Sequence, residues 1–277
     1  MSILNKPLTR RQALAYLTIP FGPPLLASIY GFGVEPHTPK VERVAVSLEN
    51  FPGKLNVIHL SDLHIHKDSL IMRRVIALSN ALEPDFVFIT GDLVEKPEEL
   101  PVCLGLISQL KYKHRIYFVP GNWEHWSGTL ADGLITKLDS RGIRTLYNEG
   151  EIIKWMGGEF FLVGIDDAYY GNPDIKKAFK YQPNDLCTIL LSHAPMGVFS
   201  AQLFRCDLVL AGHTHGGQVN IPGFGAITTP PGSGPFEQGL YDVKRSKLYV
   251  NRGIGTSVVP IRIMCPPEIT YMTIKGL

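Results

Sequence analysis

Short apolar segments rich in β-branched and aromatic residues recur along the chain, and each ends in polar residues. The first three such segments are 55–60, 85–89 and 115–119. Apolar runs of this length are typical of strands that are buried on both faces of a sheet. Between them, 69–82 has its apolar residues at helical spacing, and 97–110 begins with a helix-compatible proline. This alternation of strand and helix predicts a mostly parallel sheet.

The second half of the chain is less regular but is again rich in predicted strands. One helix is predicted at 129–141, and Gly157-Gly158 indicates a hairpin turn between two strands. Later segments alternate enough to predict a second, antiparallel sheet. The strands predicted here are 144–147, 151–156, 159–164, 188–192, 206–211, 218–221, 239–243, 247–250 and 268–274.

The N-terminal region has the charge pattern of a targeting or anchoring segment. Lys6, Arg10 and Arg11 come first, and no charged residue lies between Gln12 and Val34. A stretch of this length can cross a bilayer as a helix, but several prolines and glycines interrupt it. The tandem arginines ahead of an apolar stretch resemble a twin-arginine export signal.

Three interpretations of this region stay open: an exported signal or uncleaved anchor, an anchor on the cytoplasmic face, and a buried segment of a soluble protein. We predict a signal or membrane anchor at 1–34 and a linker at 35–54 with one short strand at 41–46. The remaining residues, 55–277, form the predicted domain. The expected location is membrane-associated and exported, in the periplasm or on the outer face of the inner membrane, with the cytoplasmic face as the alternative.

Composition excludes some classes of protein. With 45% hydrophobic and 19% charged residues, the chain has ample material for a core and little sign of disorder. The net charge is only +2 and the basic residues form no long run, which argues against a nucleic-acid partner. None of the four cysteines belongs to a C-x-x-C pair, so reduced core thiols are expected.

Polar residues that suit metal binding follow several of the predicted strands. In parallel sheets, ligands bind beyond the carboxyl ends of the strands, so residues at those ends are brought to one edge. Two histidines spaced two apart in an extended segment point the same way. The candidate ligands at strand ends are Asp62, His64, Asp92, Asn122, His193, His213 and His215.

In chain order these residues form the pattern D-x-H, G-D, G-N, H and G-H-x-H, which resembles the calcineurin-like metallophosphoesterases over about residues 55–275. The segments 215–218, 251–256 and 265–269 are similar to a bacterial branch whose members often carry a twin-arginine signal or anchor. The resemblance implies an α/β fold, a two-sheet α/β/β/α sandwich with mixed sheets.

The resemblance also implies a dinuclear metal site and a phosphoesterase activity. Independently, the mixture of carboxylate, carboxamide and imidazole donors suits manganese, iron or zinc, whereas calcium prefers oxygen ligands alone. The implied reaction is attack on phosphorus by a hydroxide that bridges the metals, with a phosphodiester favoured over a monoester. The implied ligands are Asp62, His64 and His215 for one ion, Asn122, His193 and His213 for the other, and Asp92 for both.

One position departs from the family pattern. The family has a histidine after the asparagine ligand, whereas this chain has Trp123, which cannot exchange a proton near neutral pH. His125 is the candidate replacement, and Arg252 is a candidate phosphate contact with a structural ion pair as its alternative. The expected substrate is a phosphoester, lipid-like if the N-terminus attaches to a membrane. The alternative function is a non-catalytic metal-binding scaffold.

Overall fold

The computed structural model describes residues 26–277, which contain fourteen strands and seven helices besides short 3-10 turns. The strands are β1 Lys40–Leu48, β2 Lys54–Ser61, β3 Phe86–Thr90, β4 Arg115–Val119, β5 Ile143–Thr145, β6 Glu149–Trp155, β7 Gly158–Gly164, β8 Thr188–Leu191, β9 Leu208–Ala211, β10 Asn220–Ile221, β11 Gly225–Ala226, β12 Gly239–Val243, β13 Ser246–Val250 and β14 Glu268–Gly276. The helices are α1 at 26–33, α2 Leu70–Ala81, α3 Leu100–Ile107, α4 Asn122–Trp126, α5 Leu134–Asp139, α6 Ile175–Ala178 and α7 Gly197–Ala201.

The strands form two large mixed sheets. The order in the first sheet is β1-β14-β2-β3-β4-β5, with β2 to β5 parallel and β14 antiparallel to β2. The order in the second is β12-β13-β9-β8-β7-β6, in which only the edge strands β12 and β6 are antiparallel to their neighbours. The predicted fold class, with mixed sheets, is confirmed.

The prediction of a separate antiparallel sheet late in the chain is wrong. Strands β12 and β13 extend the same sheet as β8 and β9, because β13 pairs in parallel with β9. Strand β10 instead forms a small hairpin with β11. The helix predicted at 129–141 is also shorter than expected, since Gly133 adopts a left-handed φ of 79° and α5 starts only after it.

Alternate side chains of each central strand enter different layers of the core. In β2, Leu55 and Val57 face the second sheet, whereas Ile58 and Leu60 pack under the helices α2 and α3. The second sheet repeats this pattern, and its outer face packs against α6 and α7. The result is a four-layer arrangement of helices, two sheets and helices, and both faces of each sheet lose their contact with water.

The segment predicted as a linker contributes to the first sheet. Strand β1 is longer than the predicted strand at 41–46 and runs parallel to β14 from the Lys40–Glu268 pair to the Leu48–Gly276 pair. Just before it, the buried Glu35 accepts hydrogen bonds from the backbone N–H groups of Met264 and Cys265. The first described residues are therefore tied to the C-terminal part of the chain.

The predicted signal or anchor lies mostly outside the described residues. Residues 1–25, with the twin-arginine motif, are not among them, and 26–33 is helical. None of the helices within 26–277 combines the length and apolarity that crossing a bilayer requires. All four cysteines are free and buried, as predicted.

Candidate metal centre

The predicted ligands follow the carboxyl ends of strands from both sheets. Those from the first sheet follow β2, β3 and β4, and those from the second follow β8 and β9. Because the sheets pack face to face with these ends on one side, residues more than 150 positions apart meet: the backbone N–H of His213 donates to Oδ2 of Asp62 at 2.9 Å. All seven side chains are buried.

The ligand atoms form two groups that share Asp92. Within each group, all atoms lie within 4.8 Å of one another. Asn122 adjoins the second group, because its Oδ1 is 3.0 Å from Nε2 of His193. The structure thus brings together every residue that the motif pattern suggested as a ligand. The first group is Asp62, His64, Asp92 and His215, and the second is Asp92, His193 and His213.

Hydrogen bonds to carbonyl oxygens set the orientation of two imidazoles. Nδ1 of His193 lies 2.8 Å from the carbonyl of Thr90, and Nε2 of His213 lies 2.7 Å from the carbonyl of Pro231. A carbonyl can only accept, so these ring nitrogens must donate, and the opposite nitrogen of each ring faces the cluster, where it could bind a metal. Such outer contacts are typical of metal-binding histidines.

A third imidazole has a carboxylate behind it. Nδ1 of His64 lies 3.2 Å from Oε1 of Glu95, and its Nε2 lies 3.7 Å from Oδ2 of Asp92, inside the cluster. A carboxylate on the far side of His64 favours a proton on Nδ1 and leaves Nε2 facing the cluster. Sequence reasoning missed Glu95, because nothing in its local pattern distinguishes it from the other surface acids of that loop.

The backbone of the ligand loops is held in an uncommon conformation. Non-glycine residues rarely have positive φ, and such strain concentrates at functional sites. Neighbouring glycines allow these loops to approach closely: a Cβ on Gly121 would lie 2.8 Å from Cγ of His193. The ligands with positive φ are Asp62, His64, Asp92, His213 and His215.

The donor set and its unpaired atoms fit divalent metal ions. Within residues 26–277, Nε2 of His64 and Nδ1 of His215 have no hydrogen-bond partner although they are buried, which is costly unless another group binds them. Burial would lower the pKa of His193, but the Asp92 carboxylate holds it well above its ordinary value. Two carboxylates facing clustered imidazoles therefore attract positive charge to this place. The cluster therefore has the composition and geometry of a divalent metal site.

A cleft of about 480 Å³ opens above the cluster. Asp92, Asn122 and the two G-H-x-H histidines lie in its lining, and Trp123 and Trp126 form one wall. Trp126 is 48% exposed, so it borders the cleft without belonging to the core. Trp123 places its ring edge-on to His64, with centroids 5.8 Å apart.

His125 belongs to the same short helix but points elsewhere. Trp123 and Trp126 are three residues apart and share one helix face, so His125 between them is turned away. Its Nε2 lies 2.7 Å from Oδ1 of the buried Asp166, and it is not among the described residues that line the cleft. The geometry therefore favours a structural contact over proton donation to a leaving group.

We expect His125→Gln to reduce kcat/KM for a phosphodiester by less than about tenfold, because a true general acid contributes roughly 10²–10⁴-fold. The measurement is a pH profile of kcat/KM, with the exposed His114→Gln as the matched control. A loss of two orders of magnitude together with a missing acidic or basic limb would instead make His125 the proton donor.

Arg252 lies between two carboxylates. Its Nη2 is 2.5 Å from Oε1 of Glu42 on β1, and its Nε is 2.8 Å from Oε2 of Glu268 on β14. Its guanidinium is not in the lining of the cleft within the described chain. The structure favours the ion-pair interpretation of Arg252 over a contact with phosphate.

Two buried charged residues outside the predicted set organise the ligand loops. Glu124 accepts hydrogen bonds from the backbone N–H groups of Gly121, Asp92 and Leu93. Burial, with the Asp92 carboxylate, raises the pKa of Glu124 to about 6. Arg262 is fully buried and donates to several carbonyl oxygens, among them that of Arg252 at 2.9 Å. A lone arginine within an uncharged segment was the signal available in the sequence.

Comparison with known proteins agrees with this geometry. The family model described as calcineurin-like phosphoesterase matches residues 55–217, which include all the candidate ligands. The chain belongs to the calcineurin-like phosphoesterase family. Membership implies a metal-dependent phosphoester hydrolase, and the matched region is the one that carries both groups of the cluster.

Several known proteins are similar to this chain over most of its length. The uncharacterized metallophosphoesterase YkuE of Bacillus subtilis strain 168 is 28% identical, covering 98% of this chain and 99% of that protein. Phosphodiesterase YaeI of Escherichia coli strain K12 is 29% identical, covering 78% of this chain and 80% of that protein. The solved structure of TT1561 of Thermus thermophilus aligns with a TM-score of 0.47 and 14% identity, over 72% of this chain and 90% of that one.

Proposed function

We propose that this protein is a dinuclear metal-dependent phosphodiesterase that acts on a diester with an apolar group, in a lipid or another cell-envelope molecule. The observation that carries the proposal is the pair of ligand groups sharing Asp92 at the floor of an apolar cleft. Two divalent ions would supply binding of phosphate oxygens, neutralisation of charge and an activated water. Manganese, iron and zinc fit the mixed donor set.

The protein's own residues orient this site and shape its surroundings. The carbonyls of Thr90 and Pro231 keep the opposite ring nitrogens of His193 and His213 directed at the cluster. Trp123 occupies the position from which a family histidine would reach the leaving oxygen, and its indole donates a hydrogen bond but no proton. A substrate whose leaving group departs without protonation suits such a site.

The charge of the cleft supports a diester over a monoester. Within residues 26–277, the lining contains no lysine or arginine, and the basic atoms available are those of the ligand histidines. A monoester carries up to one more negative charge than a diester, and a cleft without lysine or arginine leaves only the metal ions to compensate it. The name of the relative YaeI, a phosphodiesterase, agrees with this preference.

The N-terminal sequence supports a location at the membrane. The uncharged stretch from Gln12 to Val34 follows a cluster of basic residues, as in exported or membrane-anchored proteins. We propose that the domain acts on the outer face of the inner membrane or in the periplasm, with the cytoplasmic face as the alternative.

Metal depletion and reconstitution test the proposed function. Treatment with a chelator is expected to abolish hydrolysis of bis-p-nitrophenyl phosphate, and added manganese is expected to restore it, with p-nitrophenyl phosphate hydrolysed more slowly. Protein that binds metal but turns over neither ester with manganese, iron or zinc contradicts the enzyme proposal. That outcome supports the scaffold alternative, for which the Trp123 replacement is the observation in favour.

A further inference from the structure

Three adjoining segments, two of which line the cleft, expose large apolar side chains and carry no exposed charge of their own. We call residues 26–34, 217–236 and 253–264 together the apolar rim. The first two segments contain no acidic or basic residue, and the third contains only Arg262, which is fully buried. Charged residues make up 19% of the whole chain, so their absence from this surface sets it apart from the rest of the molecule.

The three segments adjoin one another in the fold. The backbone N–H of Arg262 donates to the carbonyl of Gly31 in α1 at 2.9 Å. On the other side, the backbone N–H of Asn220, at the start of the β10–β11 hairpin, donates to the carbonyl of Ile263 at 2.9 Å. The segment 253–264 therefore lies between α1 and the hairpin, and together they form one surface.

The exposed side chains of this surface are large. Val258 is 95% exposed, Phe224 is 87% exposed and Leu26 is 67% exposed. Val258 also has a φ of 64°, an unusual value for a β-branched residue, and with Val259 it lines the cleft above the metal cluster. A contiguous apolar surface of this kind marks an interaction site, and this one continues into the mouth of the cleft.

The sequence upstream of residue 26 identifies the partner. The stretch Gln12–Val34 is uncharged and follows Lys6, Arg10 and Arg11, so the chain joins the apolar rim directly from a segment with the pattern of a membrane anchor. A bilayer accepts an uncharged apolar surface without specific partners for it.

We propose that the apolar rim docks on a lipid bilayer, so that the cleft opens at the level of the lipid headgroups. Together with the proposed phosphodiesterase function, on which this step rests, the docking implies that the substrate is a phosphodiester in a lipid headgroup. The phosphate reaches the metal cluster while the acyl chains stay in the bilayer. Amphipathic helices that dock on a bilayer lie about 5–10 Å into the boundary between headgroups and acyl chains, and we expect the same depth for the apolar rim.

A fluorescent label on the rim tests the docking in the full-length protein. Because the native cysteines are all buried, Phe224→Cys provides a selective site for an environment-sensitive dye. Leu203→Cys is the matched control: Leu203 is 77% exposed but lies beside Gln202 and Phe204, which contact Arg245 at the end of the second sheet opposite the cluster. Each labelled protein is mixed with phosphatidylcholine–phosphatidylglycerol vesicles that contain a doxyl-labelled lipid quencher.

The dye at position 224 is expected to shift to the blue and to lose roughly half or more of its emission to the lipid quencher, because docking places it at the headgroup–acyl boundary. The dye at position 203 is expected to stay unquenched. Emission at 224 that responds only to aqueous iodide overturns the docking, even if the N-terminus binds the vesicle. Turnover of the soluble diester is measured in parallel: turnover without quenching leaves the phosphodiesterase proposal intact, and quenching without turnover leaves the docking intact.

Discussion

Asp92→Asn is expected to lower kcat/KM for bis-p-nitrophenyl phosphate by at least about 10²–10³-fold, the loss that follows removal of one group stabilising transition-state charge. Asp92 is the only residue common to both ligand groups within the described chain. Its Oδ2 lies 3.3 Å from Nε2 of His193 and 3.7 Å from Nε2 of His64, so replacing the carboxylate removes a negative charge from both groups at once. Bound metal, measured by elemental analysis, is expected to fall with activity.

The substitution leaves the local fold in place, which makes the result interpretable. Oδ1 of Asp92 accepts a hydrogen bond from the backbone N–H of Trp123 at 2.9 Å, and an asparagine oxygen can accept the same bond. Asp174→Asn is the control, since it also removes one carboxylate charge but keeps the N-cap of α6. An Asp92→Asn protein with wild-type metal content and turnover would falsify the shared role of this residue.

Glu124→Ala is expected to lower the free energy of unfolding by about 3–5 kcal/mol, because it leaves three buried N–H groups without an acceptor. Oε2 of Glu124 accepts from Gly121 at 2.7 Å and from Asp92 at 2.9 Å, and Oε1 accepts from Leu93 at 2.7 Å. These bonds join the loop after β3 to the start of α4. A loss of this size is a large fraction of the roughly 5–15 kcal/mol typical of domains.

Urea unfolding of metal-free protein measures this effect without the contribution of bound ions. Glu124→Gln keeps the volume and one acceptor oxygen, so a smaller loss of about 1–3 kcal/mol is expected. The exposed Glu98→Ala is the control and is expected to change stability by less than about 0.5 kcal/mol. Equal midpoints for Glu124→Ala and wild type contradict a structural role for this carboxylate.

The central strands illustrate what local sequence predicts well. Strand β4 was predicted with its observed limits, and β2 and β3 within one residue at each end. Apolar residues in direct succession can only be satisfied if both faces of a strand are covered, so the pattern itself indicates a central position. Polar residues at the ends of such strands then meet at one edge, which is why the candidate ligands were found in advance.

Pairings between distant segments were not predictable in this way. Strand β1 pairs with β14, although more than 200 residues separate them, and its half-exposed sequence fits many edges. The same pairing decides the surroundings of Arg252, because Glu42 on β1 and Glu268 on β14 come to lie on either side of it. The sequence was compatible with either a phosphate contact or an ion pair for Arg252, and only the order of the strands in the sheet favours the ion pair.

By itself, the sequence determined an α/β class with a mostly parallel sheet, the order of the ligand motifs and their position after strands, because hydrophobic periodicity and motif spacing are local properties. The two-sheet sandwich and the sharing of Asp92 by both ligand groups were implied by the family resemblance. The tertiary structure alone decided the surroundings of Arg252, the direction of His125 toward Asp166, and the contiguity of the apolar rim. Each of these depends on distances between segments far apart in the chain. Such distances follow from how two sheets pack, which no single segment encodes.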